Sequence, residues 1–300
     1  MKPILKWVGG KSQIIKLLQN AFPKEIKNYY EPFLGGGAVL LKILEMRDEG
    51  TLKITGKIFA SDINPALIGL YVNIRDRPLE LIKQLAILKK GYHASATDVL
   101  YDRETAPPDA YLHSSELHYY HQRDKYNALT DKTSVNTSAL FLFLNKTCFR
   151  GLYRESKRGD FNVAYGHYKY PQIFVESEIM NMSRLIQDVV FSTLPFQDAL
   201  SKAKKGDFVY LDPPYLPKET TSFVSYTGKG FDDFQHQVLF ETIVKLQKQG
   251  TKVLISNHDL PIIRDSLPVD KYTFTTVSVR RGINSKDPSA RCDEVLIKSW

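Results

Sequence analysis

At 300 residues, 43% hydrophobic and 25% charged, the chain is long enough for a large core, expected as one α/β domain with an insertion or a small second domain, and its longest strongly apolar run, Ala139–Leu144, is too short to cross a bilayer. Lys and Arg outnumber Asp and Glu by 41 to 33, a net charge of +8 that suits a polyanionic partner without requiring one. The two cysteines, Cys148 and Cys292, have neither metal-ligand spacing nor a disulfide framework, and Met1–Lys11 is too polar for a secretory leader, so a reducing intracellular compartment is expected.

Leu5–Lys11 reads LKWVGGK: a Gly-Gly pair that lets backbone approach a ligand, Trp7 as a stacking surface, and Lys11 as a cation for a carboxylate. The same residues also read as a plain loop before a helix over Lys11–Ala21. Tyr29–Phe33 is expected to be a strand, followed by Leu34-Gly35-Gly36-Gly37 and a helix over Ala38–Met46. Strand, glycine turn and helix make the ligand cradle of nucleotide-binding folds, although the spacing is not G-x-G-x-x-G. A second strand, Ile58–Ser61, ends in Asp62-Ile63-Asn64-Pro65, which places an acid to accept both hydroxyls of a ribose while Asn64 caps the next helix. Glycine loop plus acid indicates an adenosine-containing ligand and does not separate NAD from S-adenosylmethionine.

Leu67 to about Thr133 patterns as amphipathic helix, except that Gly91–Ser115, with Pro107-Pro108, reads as a long surface loop. The helix resumes over Glu116–Asn127, and Ser138–Asn145 is a buried, helical segment. After it, Lys146, Arg150, Arg154, Lys157, Arg158 and Lys169 interleave with Phe149, Tyr153, Phe161, Tyr165, Tyr168 and Tyr170. That mixture fits phosphate neutralisation with base stacking, and equally a solvated hairpin with aromatics packed beneath it. Further on, Ile179–Ile186 reads as helix, Val189–Ser192 as strand, Phe234–Gln249 as helix and Lys252–Ser256 as strand. Tyr272–Arg280 and Glu294–Lys298 alternate like an antiparallel pair, with the basic Arg281–Asp293 between them as a DNA-facing loop.

Gly206–Tyr215, GDFVYLDPPY, organises the rest. Four apolar residues, Phe208–Leu211, make a short buried parallel strand that stops at Asp212, because Pro213 and Pro214 cannot donate to a ladder. An acid is thus held at the carboxyl end of a buried strand, where open α/β sheets bind ligands. The Asp212 carboxylate, the Pro213 carbonyl and the Tyr215 ring together suit an exocyclic amino group on a planar base. Pro-Pro after a strand is also an ordinary turn.

LKWVGGK, EPFLGGGAVL, SDIN, YYHQRDKYN, FLNKTCFRGLYR, RGDFNVAYGHYKYP, YLDPPY, LISNHD and VRRGI stand in one order along nearly the whole chain. So arranged, they closely resemble the DNA adenine-N6 methyltransferases of the Dam family, in the α group of amino-methyltransferases. The resemblance implies a Rossmann-like α/β methyltransferase sheet from 1–70 and 183–300, with a mostly helical target-recognition domain, 71–182, inserted. It also implies S-adenosylmethionine as methyl donor, double-stranded DNA as substrate, and an intracellular monomer with no membrane or metal requirement. Trp7, Lys11, Phe33, Gly35, Gly37, Asp62, Ile63, Phe196 and Asp212 match cofactor positions. Asp212, Pro213, Pro214 and Tyr215 would hold the flipped adenine. Lys6, Phe149, Arg150, Leu152, Arg154, Lys157, Arg158 and Arg281 fall to DNA, with Lys6 and Arg154 at guanine-reading places and Phe149 stacking into the duplex. The family's usual target is GATC. Departures fall in the DNA-reading part: Arg150 where Asn is common, and Ala164-Tyr165 where Pro-Phe is common. Three other readings stand beside this one. A cytosine-N4 methyltransferase typically has Ser in place of the acid, a protein-glutamine methyltransferase more often has N-P-P-Y, and a non-enzymatic DNA-binding protein on a decayed fold would have lost Asp212, Lys11 or the glycines.

Overall fold

The computed structural model describes residues 1–96, 101–216, 231–280 and 291–300, and the side chains of 279, 280, 291 and 292 are not among the described parts. Arg281 and most of the expected loop after it therefore lie outside the described residues, as does 97–100 within the expected Gly91–Ser115 loop. Two compact units form: Met1, Lys11–Ile63 and Asp188–Trp300 make one, and Lys2–Gly10 with Asn64–Gln187 make the other.

The first unit opens with a 3-10 turn, Lys11–Gln13, and α1 (Ile15–Ala21), then runs β1 (Glu25–Ile26), β2 (Tyr29–Glu31), α2 (Ala38–Asp48), β3 (Lys53–Ile54) and β4 (Ile58–Asp62). The second unit carries α3 (Pro65–Asp76), α4 (Pro78–Ala94), α5 (Ser115–Ala128), α6 (Val135–Thr147) and α7 (Glu176–Leu185). The chain then returns through β5 (Val189–Thr193), α8 (Phe196–Leu200), β6 (Phe208–Leu211), α9 (Asp233–Lys248), β7 (Lys252–His258), α10 (Pro261–Ser266), β8 (Thr273–Arg280) and β9 (Arg291–Lys298).

Among the described residues, seven strands form one sheet in the order β5-β4-β2-β6-β7-β9-β8, parallel except where β9 runs against β7 and β8. From β2 the chain winds outward through β4 to β5, then crosses back to lay β6 on the other side of β2. The strand order reverses between β2 and β6, and such a switch point opens a crevice at the strands' carboxyl ends. All four β6 residues are buried, as a strand covered on both faces requires. The α/β expectation holds, including the antiparallel last pair.

Two helix starts matter for position. Helix α2 begins at Gly37, whose φ of 69° is the left-handed conformation a residue with Cβ resists. Helix α3 begins as expected at Asn64, whose Oδ1 accepts from Ala66 N and Leu67 N, with Pro65 as the first helical residue.

In the second unit, α6 is buried along almost its whole length, α3, α4 and α5 pack on it, and α7 packs on α3 and α4. The expected long loop is shorter at both ends, because α4 continues to Ala94 and a turn forms at Ala110–Leu112. Tyr92 explains the extension: it is buried, and its hydroxyl pairs with that of Tyr165. Among the described residues no helix is long and apolar enough to cross a membrane.

Candidate active site and DNA-facing surface

In the first unit, the carboxyl ends of β2, β4 and β6 bring Glu31, Asp62 and Asp212 to one edge of the sheet. Lys11, 5% exposed, places Nζ 2.8 Å from Asp212 Oδ1 and 4.9 Å from the centre of the Tyr215 ring. Tyr215 donates its hydroxyl to Glu294 Oε2 at 2.9 Å, and the His258 ring meets its ring edge-on at 4.9 Å. The Pro214 carbonyl is engaged by His236 Nε2 at 3.0 Å, which anchors the irregular chain after β6 on α9.

These groups are coupled electrostatically. Burial raises the Asp212 pKa, and the Lys11 charge with its hydrogen bond opposes that; Glu294 raises it further, while the Tyr215 hydroxyl lowers it. Glu31, 3% exposed, is pushed up to about 8, chiefly by burial. Hydrogen bonding from the Tyr29 hydroxyl at 2.6 Å partly offsets this, and the Asp212 charge adds to it. Tyr215 is held well above the usual phenol range by burial, and then by the two carboxylates. At neutral pH it is a hydrogen-bond donor.

The glycine loop lies beside this edge. Gly35 N–H donates to Asp62 Oδ2 at 3.1 Å, Leu34 N–H to the Ser61 carbonyl, and Gly37 N–H back to the Leu34 carbonyl. Gly35 and Gly37 have φ of 47° and 69°, so the turn is closed by glycine conformations. Phe33 stacks on Phe196 at 5.6 Å, and Phe231 closes the ring cluster against both. Gln197 Oε1 next to Phe196 is buried and has no protein partner among the described residues, and such an orphan acceptor suits a ligand donor. Ile63 is exposed. A braced carboxylate, an aromatic face and an unfilled acceptor match the ribose, ring and amino group of an adenosine.

Trp7 belongs to the second unit, stacked on Tyr153 at 5.5 Å and tilted against Phe141. Beside it, Asn145 on α6 clamps the backbone: its Oδ1 accepts from Lys6 N, and its Nδ2 donates to the carbonyls of Lys6 and Gly151. Gly151 (φ 66°) packs so tightly that an added Cβ would fall 2.5 Å from Lys6 Cβ. Lys6 Nζ then sits over the Tyr168 ring at 4.3 Å.

The basic-aromatic stretch is a hairpin-like fold, bridged at Cys148–Tyr165 and Glu155–Phe161. Phe161 and Tyr165 are buried, while Arg150, Arg154, Lys157 and Arg158 are exposed and Phe149 is 47% exposed. The packing is that of the solvated hairpin, with Phe161 and Tyr165 beneath and the cations outside. Leu152 follows the short turn Phe149–Gly151, half-buried. Arg154 is aimed by Asn162, whose Oδ1 accepts from Nε at 2.7 Å and whose carbonyl accepts from the guanidinium at 3.2 Å. Lys157 and Arg158 ride the turn closed by Ser156 and Asp160. Arg150 adopts φ 56°, a conformation that suits Asn better than Arg, so this departure from the common pattern carries strain of about 1 kcal/mol. The Tyr165 departure is absorbed by its bond to Tyr92.

Sequence reasoning left out Glu31, Glu294, His258, Gln197 and Phe231. An acid directly before Pro32 at a strand end was a readable signal for Glu31. Glu294 showed only as an acid beside an apolar run, and its pairing opposite His258 needs the β7–β9 register. Among the described residues no group of His, Cys, Asp and Glu is placed to hold a metal ion.

The family model for D12 class N6 adenine-specific DNA methyltransferases matches residues 7–283. A type II methyltransferase, M.MjaIII, of Methanocaldococcus jannaschii is 38% identical over 264 residues, 86% of this chain and 84% of its own. The DNA adenine methylase of Haemophilus influenzae is 32% identical, covering 97% of this chain and 90% of its own, and that of Escherichia coli is 31% identical, covering 98% and 94%.

Proposed function

The chain belongs to the D12 class of N6 adenine-specific DNA methyltransferases, and from that premise we propose that it carries a methyl group from S-adenosylmethionine to N6 of an adenine flipped out of duplex DNA, within GATC. The observation that carries the reading is Asp212 at the switch point, 2.8 Å from Lys11 and followed by Pro213, Pro214 and Tyr215.

Adenine N6 is a weak nucleophile because its lone pair is delocalised into the ring. Asp212 and the Pro213 carbonyl accept hydrogen bonds from its two amino protons and draw the nitrogen towards sp³ geometry. The Lys11 charge and hydrogen bond favour the ionised form of Asp212, against the pull of burial. Tyr215 stacks on the base, which must leave the duplex for its amino group to be reached. S-adenosylmethionine, when bound, supplies an electrophilic methyl group on sulfur. Asp62 would take its ribose hydroxyls, with the loop of Phe33, Gly35 and Gly37 and with Ile63 around it. Phe196 would pack against the adenine ring and Gln197 would accept its amino group. What the protein contributes is positioning and fixed charge.

In the second unit, Lys6 and Arg154 read guanine edges, Phe149 and Leu152 press on the duplex, and Arg150, Lys157 and Arg158 meet phosphates. The test is to map methylated positions in DNA from cells expressing the protein. N6-methyladenine at GATC is expected; another sequence overturns the target, and N4-methylcytosine overturns the base.

A further inference from the structure

Two carboxylates face the Tyr215 hydroxyl, and it has one proton to give. It donates to Glu294 Oε2 at 2.9 Å, and it is also close enough to Asp212 to lower that group's pKa. Glu294 sits on β9 opposite His258 of β7, and His258 both meets the Tyr215 ring and anchors its Nδ1 on the Leu216 carbonyl at 2.8 Å. The ring is therefore held in place from β7, and only the direction of its O–H remains to be set. We infer that Glu294 is a positioning residue for methyl transfer: by taking the Tyr215 proton, it keeps that proton off the Asp212 carboxylate and leaves Asp212 an acceptor for the target amino group.

The two carboxylates compete for the one phenol proton. Lys11 already occupies Asp212 Oδ1, so a phenol turned onto the same carboxylate would use the acceptor capacity the adenine needs. A carboxylate is a better acceptor for a phenol than any neutral group, and Glu294 draws the proton by that preference. Removing Glu294 leaves the hydroxyl with Asp212 as its remaining charged partner. Substitution should then harm the reaction through Tyr215, so removing the hydroxyl as well should restore part of what was lost. A residue that merely supports the fold gives no such restoration.

The inference rests on the roles given above to Asp212 and Tyr215. Tritiated-methyl incorporation into a GATC duplex is measured for the wild-type protein, Glu294→Ala, Glu294→Gln, Tyr215→Phe and the double variant Glu294→Ala/Tyr215→Phe, with thermal unfolding of each. Glu294→Ala should lower kcat roughly 10–100-fold with KM for DNA little changed, as for one lost charge-assisted contact at the reacting group. Glu294→Gln, whose amide oxygen still accepts the phenol proton, should recover most of that. The double variant should turn over faster than Glu294→Ala alone. If the double variant is slower than Glu294→Ala, or if Glu294→Ala changes KM and unfolding but not kcat, Glu294 has no part in directing the proton. A wild-type protein that leaves the GATC duplex unmethylated overturns the proposed target on which the assay rests instead, and the two failures cannot be confused.

Discussion

The edge of the sheet and the basic hairpin use charge in opposite ways. At the sheet, Lys11, Glu31 and Asp212 are largely buried; burial raises the pKa of both carboxyls, Lys11 opposes that at Asp212, and the Asp212 charge adds to it at Glu31, so the protonation of the two carboxyls depends on pH. On the hairpin, Arg150, Arg154, Lys157 and Arg158 stand in solvent, supported from below by Phe161 and Tyr165, and act at a distance that salt shortens. A buried charge is expensive to place and strong once placed; an exposed one costs little and is weak singly. Chemistry on a base needs the first kind, and contact with a polyanion needs several of the second.

The sharpest way to break the contrast is Asp212→Ala, which should abolish methyl incorporation into DNA while leaving a folded protein. Near-normal turnover would remove the buried edge from the chemistry altogether.

Next in size is a stability effect confined to the sheet. Glu31 has its pKa raised from 4.5 to about 8, so its contribution is fully present below about 4.5 and is lost as pH rises through 8. Over that window the wild type should lose roughly 3–5 kcal/mol that Glu31→Gln, a near-copy of the protonated side chain, does not lose. Thermal midpoints of both proteins at about pH 5 and about pH 8.5 decide it. If the two fall in parallel, Glu31 does not carry the proton.

Asp62→Ala should weaken S-adenosylmethionine binding by about 1.5–3 kcal/mol, roughly 10–150-fold, through lost charge-assisted bonds to the ribose. Calorimetry measures it, and binding of NAD in place of S-adenosylmethionine would reassign the glycine loop.

The smallest effects should come from the hairpin, and they should differ in kind. Arg154→Ala should cost about 1–3 kcal/mol of discrimination at one base pair of GATC, because Asn162 aims its planar fork. Lys157→Ala and Arg158→Ala should weaken all DNA alike and flatten the salt dependence by about one unit of slope each. Methylation rates on GATC and on singly substituted sites, at two salt concentrations, separate them. A uniform slowing in Arg154→Ala would make it a backbone anchor.

Much of this was legible in the residues themselves. Proline placement ended β6 at Asp212, glycine placement opened the loop before α2, and Asn64-Pro65 started α3, because each of these is local backbone chemistry. The apolar run Phe208–Leu211 could be read as a strand covered on both faces for the same reason. What local chemistry could not decide was partnership. Whether the basic-aromatic stretch was a stacking surface or a padded hairpin depended on the bridges from Cys148 to Tyr165 and from Glu155 to Phe161, pairings that the residue types alone do not specify. Helix α4 outran its pattern because Tyr92 finds Tyr165 across the second unit. Glu294 acquired a place beside Tyr215 only through the register of β9 on β7, since pairing shifted by one residue turns a side chain to the other face. Local steric rules set where elements begin and end; at the sheet's carboxyl edge, long-range pairing sets which charges meet.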